Sequence, residues 1–473
     1  MEKNINATSN DLVVTGEDII NKKDVKSGSL SVGVISLGCD KNRVDTETML
    51  SFLRDAGYSF TGEAEEADII IVNTCGFIAS ARDESYDTID EMAGYREDEN
   101  SNCVRLIVTG CVPQKWSKDL IEAFPEVDIV LGIDDYPNIA EIIKTSIETN
   151  KKIVKVGNAD TVFSVKDRLV TTSENYAYLK IADGCNNFCT FCTIPQIRGR
   201  YRSRDIDDIL EEAENLVENG ATELILVAQD ISRYGTDKFD KPKIIELIRK
   251  LSEIEDLKWI RLLYCYPEMM TSELLDEMMN NPKLCKYLDV PLQHIADNML
   301  KRMNRRSSKS QIQEFVKNVK NLPEFVAVRT TLMTGFPGET EEDFNELCEF
   351  LTESRLLNVG FFAYSKEDGT PAGAMPDQID DKVKQKRLLQ LMKLQEKIAK
   401  EENKLFIGKT LEVCCEGIDY DRQMFYGRSQ YQAPDVDSIV YFKSKQPVMQ
   451  GCYYKVKIKS VSGYDLKGEV VYE

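Results

Sequence analysis

Cys185, Cys189 and Cys192 fall within the stretch GCNNFCTFCTIP, directly after the apolar run AYLKIA, which reads as a strand. The C-x-x-x-C-x-x-C spacing lets one short loop set three thiolates around three corners of a cubane, and thiolates are the expected ligands of iron-sulfur clusters. No fourth cysteine lies nearby. One corner iron is therefore left with an open position, the property that separates catalytic from structural metal sites. An amine and a carboxylate of a small substrate can bind there. The competing readings are a zinc site completed by a distant fourth ligand and three unrelated buried thiols, although zinc sites generally pair one C-x-x-C unit with a second. The single histidine, His294, leaves sulfur as the main metal donor and makes a Ser-His or Cys-His hydrolase depend on one residue. A lone histidine is more often a satisfied structural residue than a functional one. Thirteen cysteines, an odd number with no export signal before them, read as reduced thiols in a cytoplasm.

The loop opens a series of six strand candidates, AYLKIA, ELILVA, WIRLLYCY, YLDVPLQ, AVRTTLMT and VGFFAYS, separated mostly by helical segments. Such alternation predicts a partial (β/α)6 barrel, open at one side, over residues 171–402. It ends in a helix from Asp380 to Glu402 whose expected apolar face is Leu388, Leu389, Leu391, Met392 and Leu394. Upstream, VGVISL, ADIIIVN and VRLIVT alternate with helices such as DTETMLSFLRDAGY, the pattern of a small, doubly wound parallel sheet over residues 31–147. The turn-rich residues 148–170 read as a linker, and the polar residues 1–30 as a disordered extension. From residue 403 to the end, LEVCCEG, SIVYFK, YYKVKIKSV and LKGEVVYE predict a small antiparallel β-barrel. The fold class is thus α/β with a small all-β domain at its end.

Cys39, Cys75 and Cys111 each lie just past a predicted strand of the first domain, at equal intervals of 36 (75 − 39 and 111 − 75). In a parallel sheet that repetition returns each loop to the edge where such sheets bind ligands, and three thiols would face one point. Buried structural cysteines are the alternative. Cys103, Cys265, Cys285, Cys348, Cys414, Cys415 and Cys452 sit within apolar patterns and are expected mostly in cores.

From Val32 onward the sequence resembles the radical S-adenosylmethionine (SAM) methylthiotransferases. SLGCDKNRVDTE, IVNTCGFI, YLKIADGCNNFCTFCTIPQIRGRYRSR, DVPLQH, TGFPGETEEDF and FAYSKEDGTPA look most like the branch that modifies a ribosomal protein. The resemblance implies two 4Fe-4S clusters. One, held by Cys185, Cys189 and Cys192, binds SAM and generates a 5'-deoxyadenosyl radical; the other, on Cys39, Cys75 and Cys111, presents sulfur. The acceptor it implies is the β-carbon of an aspartate in small-subunit ribosomal protein twelve, with a TRAM module as the last domain and a flavodoxin or ferredoxin as electron donor. An unactivated C–H bond has no acidic proton for general acid-base chemistry to remove, so a radical initiator suits it. Phe191 resembles the family residue beside the adenine and reads equally well as a core aromatic. Gln229 and Asp230, after the second barrel strand, and Gly335 and Gly338 of GFPGET, after the fifth, are candidate SAM contacts; a tight turn explains the glycines almost as well.

Arg198, Arg200, Arg202 and Arg204 can hold an acidic group, although such runs usually face water, and most of the four are expected to do so. A net charge of −20 argues against a protein that blankets nucleic-acid phosphates. Between Lys404 and Glu473, ten Lys or Arg stand against nine Asp or Glu, so the last domain lacks the basic excess of an RNA binder. Nucleic acid is not the expected substrate, and no run is apolar enough to span a membrane. The remaining alternatives are a tRNA methylthiotransferase of the same family and a non-catalytic iron-sulfur carrier.

Overall fold

In the computed structural model the described residues are 13–18, 29–163, 165–173 and 175–472. The chain forms two compact units, Met1–Thr171 with Ala182–Phe188 and Cys192–Glu212, and Thr172–Ile181 with Cys189–Phe191 and Ala213–Glu473.

The first unit is built on a seven-stranded sheet of β1 (Val13–Asp18), β2 (Ser31–Ser36), β3 (Ser59–Phe60), β4 (Ile69–Thr74), β5 (Arg105–Gly110), β6 (Ile129–Leu131) and β7 (Lys151–Lys155), in the order β1-β7-β6-β5-β4-β2-β3. All its pairings are parallel except that of β1 with β7. Alternation along β4 explains why both faces are covered. Ile69 and Ile71 pack with Met49 and Leu53 of α1 (Asp40–Asp55) and with Ile139 and Ile143 of α4 (Ile139–Thr149). Ile70 and Val72 point the other way, onto Ile89 of α2 (Ala79–Glu97) and Leu120 of α3 (Cys111–Ala123). Strand order reverses between β2 and β4, which is where doubly wound sheets place their ligands. Four strands of this sheet lie where the sequence suggested none, β3 and β6 among them within the expected domain. β1 falls within the expected extension and β7 within the expected linker; the other extension residues 1–12 and 19–28 lie outside the described residues.

This unit also contains a short antiparallel ribbon, β9 (Ala182–Asp183) with β10 (Arg202–Ser203), in which Asp183 faces Arg202. The ribbon brackets α5 (Ile194–Ile197) and is followed by α6 (Ile206–Glu218).

In the second unit, six parallel strands lie in the order β15-β14-β13-β12-β11-β8: β8 (Tyr176–Lys180), β11 (Glu223–Val227), β12 (Trp259–Leu262), β13 (Leu284–Asp289), β14 (Ala327–Thr334) and β15 (Asn358–Ala363). These are the six expected strands, forming an open sheet. Helices α7 (Ile244–Leu251), α8 (Ser272–Asn280), α9 (Asp297–Arg302), α10 (Lys309–Lys320) and α11 (Glu341–Ser354) connect the strands after β11. α12 (Asp381–Asn403) follows β15, but its buried stripe differs from the expected one. Leu391, Ile398 and Ala399 are buried together with Lys384, Arg387 and Gln395, whereas Leu389 and Met392 are at least half exposed. The long polar residues take these inner positions because their ends find partners: Gln395 donates to the carbonyls of Leu356 and Leu357, and Arg387 pairs with Glu339 and Glu341.

The C-terminal segment is a closed barrel, β16 (Thr410–Asp419), β17 (Met424–Ser429), β18 (Val440–Lys443), β20 (Asp465–Val470) and β19 (Tyr453–Ser462), filled by residues such as Val413, Phe442, Val456 and Leu466. β17 was not expected, and the β18–β20 pairing is parallel where an all-antiparallel barrel was predicted. Within this unit the barrel docks on the six-stranded sheet through a buried charge network. Glu223 on β11 accepts from Arg261 on β12 at 2.6 Å and from Arg428 on β17 at 2.9 Å. Among the described residues no helix is long and apolar enough to cross a membrane.

Candidate functional site

The three N-terminal thiols follow consecutive central strands at their carboxyl ends. Cys39 is the N-cap of α1, Cys75 directly follows β4, and Cys111 opens α3. Asn42 stitches the loop ends together, donating to the carbonyls of Leu37 at 2.7 Å, Thr74 at 3.2 Å and Asn73 at 3.3 Å. Ser85 fixes Cys75 by accepting its N–H at 3.0 Å and donating to its carbonyl at 2.9 Å. Gly38 closes in from the other side with φ +88°, and a Cβ there would come within 2.7 Å of the Cys75 Sγ. Any larger residue would fill the space around that thiol.

The thiols sense one another electrostatically. Burial, with the Cys111 thiol adding to it, pushes Cys75 up to about 12. Burial also raises Cys111, with Arg198 and Cys39 acting on it in opposite directions. The upward shifts favour the protonated thiols, so any metal bound there would have to displace their protons. Among the described residues no three His, Cys, Asp or Glu side chains are grouped as ligands of a single metal ion. An all-sulfur donor set spread over three strand ends has the chemistry of a cluster ligand set.

Arg198 completes this constellation, against expectation. It is 1% exposed. Its Nη1 lies 2.6 Å from Asp45 and 3.0 Å from Asp183, while its Nη2 donates to Asn42 Oδ1 at 3.2 Å and to Cys111 Sγ at 3.8 Å. Arg204 is buried as well, on Glu212, and Arg202 is half-buried. Of the four arginines only Arg200 is exposed, with its guanidinium 4.7 Å from the Phe188 ring centroid. The reading of a mostly solvated edge is therefore corrected: the β9–β10 ribbon turns this segment inward, where carboxylates from α1, α6 and β9 neutralise it.

The second set of thiols lies in the loop between β9 and α5. Cys185 is buried, its Sγ accepting the Asn187 N–H at 3.5 Å, and Cys192 Sγ accepts the Ile194 N–H at 3.4 Å. In the second unit, Cys189 Sγ accepts from Arg305 at 3.7 Å, and Arg305 also lies over the Tyr266 ring at 4.4 Å. Thr190 pins this segment through bonds to the carbonyls of Arg302 and Met303 and from the Ala372 N–H. Phe191 packs edge-on against Phe336 at 6.4 Å.

Asp230 is fully buried and engaged by Ser232 at 2.5 Å and Arg233 at 3.1 Å; its neighbour Gln229 is half-buried. Gly335 and Gly338 both have positive φ, and a Cβ would meet Lys384 at the first and Asp377 and Arg302 at the second, so the turn itself calls for glycine at both. His294 is fully buried, beside Glu339 at 3.3 Å and accepting the Ala296 N–H at 3.0 Å, in keeping with a structural role. Arg305 and the buried role of Arg198 escaped the sequence reading, and for Arg305 no spacing signal exists.

Comparison with known proteins gives three family matches in chain order: the uncharacterized protein family UPF0004 over residues 31–132, the radical SAM superfamily over 179–351 and a TRAM domain over 407–471. The ribosomal protein uS12 methylthiotransferase RimO of Clostridium tetani is 45% identical over 93% of this chain and 98% of its own. That of Clostridium botulinum strain Hall is 46% identical over 94% and 99%. Among solved structures, the radical SAM methyltransferase TsrM from Kitasatospora setae, with cobalamin and a 4Fe-4S cluster bound, matches with a TM-score of 0.54 at 15% identity, over 73% of this chain and 77% of that one. That likeness speaks to the fold alone. Three modules in the same order, and near-complete mutual coverage with relatives of one name, show that the chain belongs to the radical SAM methylthiotransferases, within the ribosomal protein uS12 methylthiotransferase family.

Proposed function

We infer that this chain is an enzyme that attaches a methylthio group to ribosomal protein uS12, at the β-carbon of an aspartate, by radical SAM chemistry. The observation that carries the reading is the pair of three-thiol sets, one within a single loop with no fourth cysteine nearby and one across three strand ends, the other cysteine of that domain, Cys103, being buried before β5, at the end of the strand opposite Cys111. Cys185, Cys189 and Cys192 would hold one 4Fe-4S cluster and Cys39, Cys75 and Cys111 a second. When bound, the clusters supply an electron for splitting SAM at an open iron and a site for the sulfur to be transferred.

The chain's own residues position, shield and orient. Arg305 donates to Cys189, and Thr190 fixes the backbone of that segment, so the loop is held before any ligand arrives. Phe191 offers an aromatic edge beside the cysteine loop, which supports a role against the adenine of SAM; Gln229, Asp230, Gly335 and Gly338 remain further candidates for SAM contact. The near-balance of charge in the TRAM segment favours a protein partner over RNA. A flavodoxin- or ferredoxin-type donor supplies the electron, and a ribosomal substrate puts the reaction in the cytoplasm.

The test is anaerobic reconstitution followed by incubation with SAM, a reductant and either uS12 or tRNA. Mass spectrometry is expected to find the methylthio group on the uS12 aspartate, with 5'-deoxyadenosine released. Transfer to tRNA alone would replace the substrate, and absence of deoxyadenosine would leave an iron-sulfur carrier.

A further inference from the structure

We propose that Arg198 is a positioning residue for the N-terminal cluster, holding the Cys111 thiolate and raising the cluster's readiness to accept an electron. The inference rests on the two-cluster reading above and adds to it a residue from outside the thiol set. Arg198 stands far along the chain, in the segment after the second cysteine loop, yet its guanidinium is buried beside the first.

A buried cation needs carboxylate partners, and Asp45 and Asp183 supply two. Those two would neutralise it without further contacts. The fork is instead divided: Nη1 takes both carboxylates, while Nη2 takes Asn42 and the Cys111 sulfur at 3.8 Å. Asn42 is itself the side chain that ties the ends of β2 and β4 together, so the same hydrogen-bonded set fixes the loops after those strands and the thiol after β5. Only a planar guanidinium can serve all four partners at once; an ammonium on a flexible stem cannot. Hydrogen bonds and positive charge at a cluster's sulfurs favour the reduced, more negative state. A purely structural arginine, tying α1 to the β9–β10 ribbon, would leave that equilibrium alone.

The experiment uses the full chain carrying Cys185→Ala, Cys189→Ala and Cys192→Ala, so that only the N-terminal cluster remains. Potentiometric titration followed by electron paramagnetic resonance reads its midpoint. Arg198→Lys keeps the charge and loses the fork; it is expected to retain about four irons per chain and to titrate at a lower potential than the parent. Arg198→Met with Asp45→Asn removes cation and carboxylate together and is expected to shift the midpoint further in the same direction. Variants that keep iron and titrate at the parent potential, or that both lose the fold, overturn the proposal in favour of a structural arginine. A parent that binds no iron overturns the two-cluster reading and the proposal with it, a result distinct from an iron-loaded parent that Arg198 does not influence.

Discussion

Cys185, Cys189 and Cys192 are spaced within a single loop, whereas Cys39, Cys75 and Cys111 end three separate strands, and the two sets depend differently on the rest of the fold. The loop carries its ligand spacing in its own covalent geometry. The strand-end set exists only once β2, β4 and β5 have paired, and its parts are then fixed by Asn42, Ser85 and Gly38. Each set has an arginine donating to one sulfur, the buried Arg198 to Cys111 and the half-buried Arg305 to Cys189. The thiols are thus placed locally in one set and by assembly in the other, and in both an arginine distant in sequence donates to one sulfur.

The comparison breaks most visibly on activity. Replacing Cys185, Cys189 and Cys192 by Ala is expected to reduce deoxyadenosine formation to background, while the same change at Cys39, Cys75 and Cys111 leaves deoxyadenosine formation and removes the methylthio product. Loss of deoxyadenosine in both would merge the two roles.

Glu223 belongs to neither set and provides an effect on stability alone. Its removal strands the buried Arg261 and Arg428, and Glu223→Ala is expected to cost about 3–5 kcal/mol in denaturant unfolding. Burial pushes the Glu223 carboxyl up, but Arg261 and Arg428 outweigh it and hold it below the ordinary glutamate range. A carboxyl depressed by folding contributes stability above its unfolded value and loses it as pH falls through the folded one. Stability is therefore expected to drop on the acid side in the parent, with a shallower slope in Glu223→Gln.

Gly38→Ala probes the assembled set alone. Its positive φ and the close approach to Cys75 predict a loss of about 1–3 kcal/mol, with N-terminal iron depleted and the loop cluster retained. Equal depletion of both clusters would deny the set its independence. Leu389→Ala, on the exposed face of α12, is expected to change stability by less than about 0.5 kcal/mol, marking the lower bound of the series.

What the sequence made legible follows the same division. The C-x-x-x-C-x-x-C loop could be read directly because its geometry is local. The strand-end set showed only as a 36-residue interval between cysteines that each follow a strand, although β3 lies within the first interval and not the second. The alternating RGRYRSR resembled a solvated edge, because the partners that bury Arg198 include Asn42, 156 residues away. α12 misled for a related reason: Leu389 and Met392 are apolar by type but lie off the 384-387-391-395-398 stripe that packs inward. β1 (VVTGED) and β17 (MFYGRS) group their apolar residues at one end instead of alternating them, and tertiary pairing decides them.

The claim on which the account turns is that three thiols in the Cys185–Cys192 loop leave one iron open to SAM. Mössbauer spectroscopy of the chain carrying Cys39→Ala, Cys75→Ala and Cys111→Ala, reconstituted with iron-57, reads that iron directly. Addition of SAM is predicted to change the signal of one iron in four, to that of a site with nitrogen and oxygen ligands. Four iron sites that do not respond to SAM would contradict it.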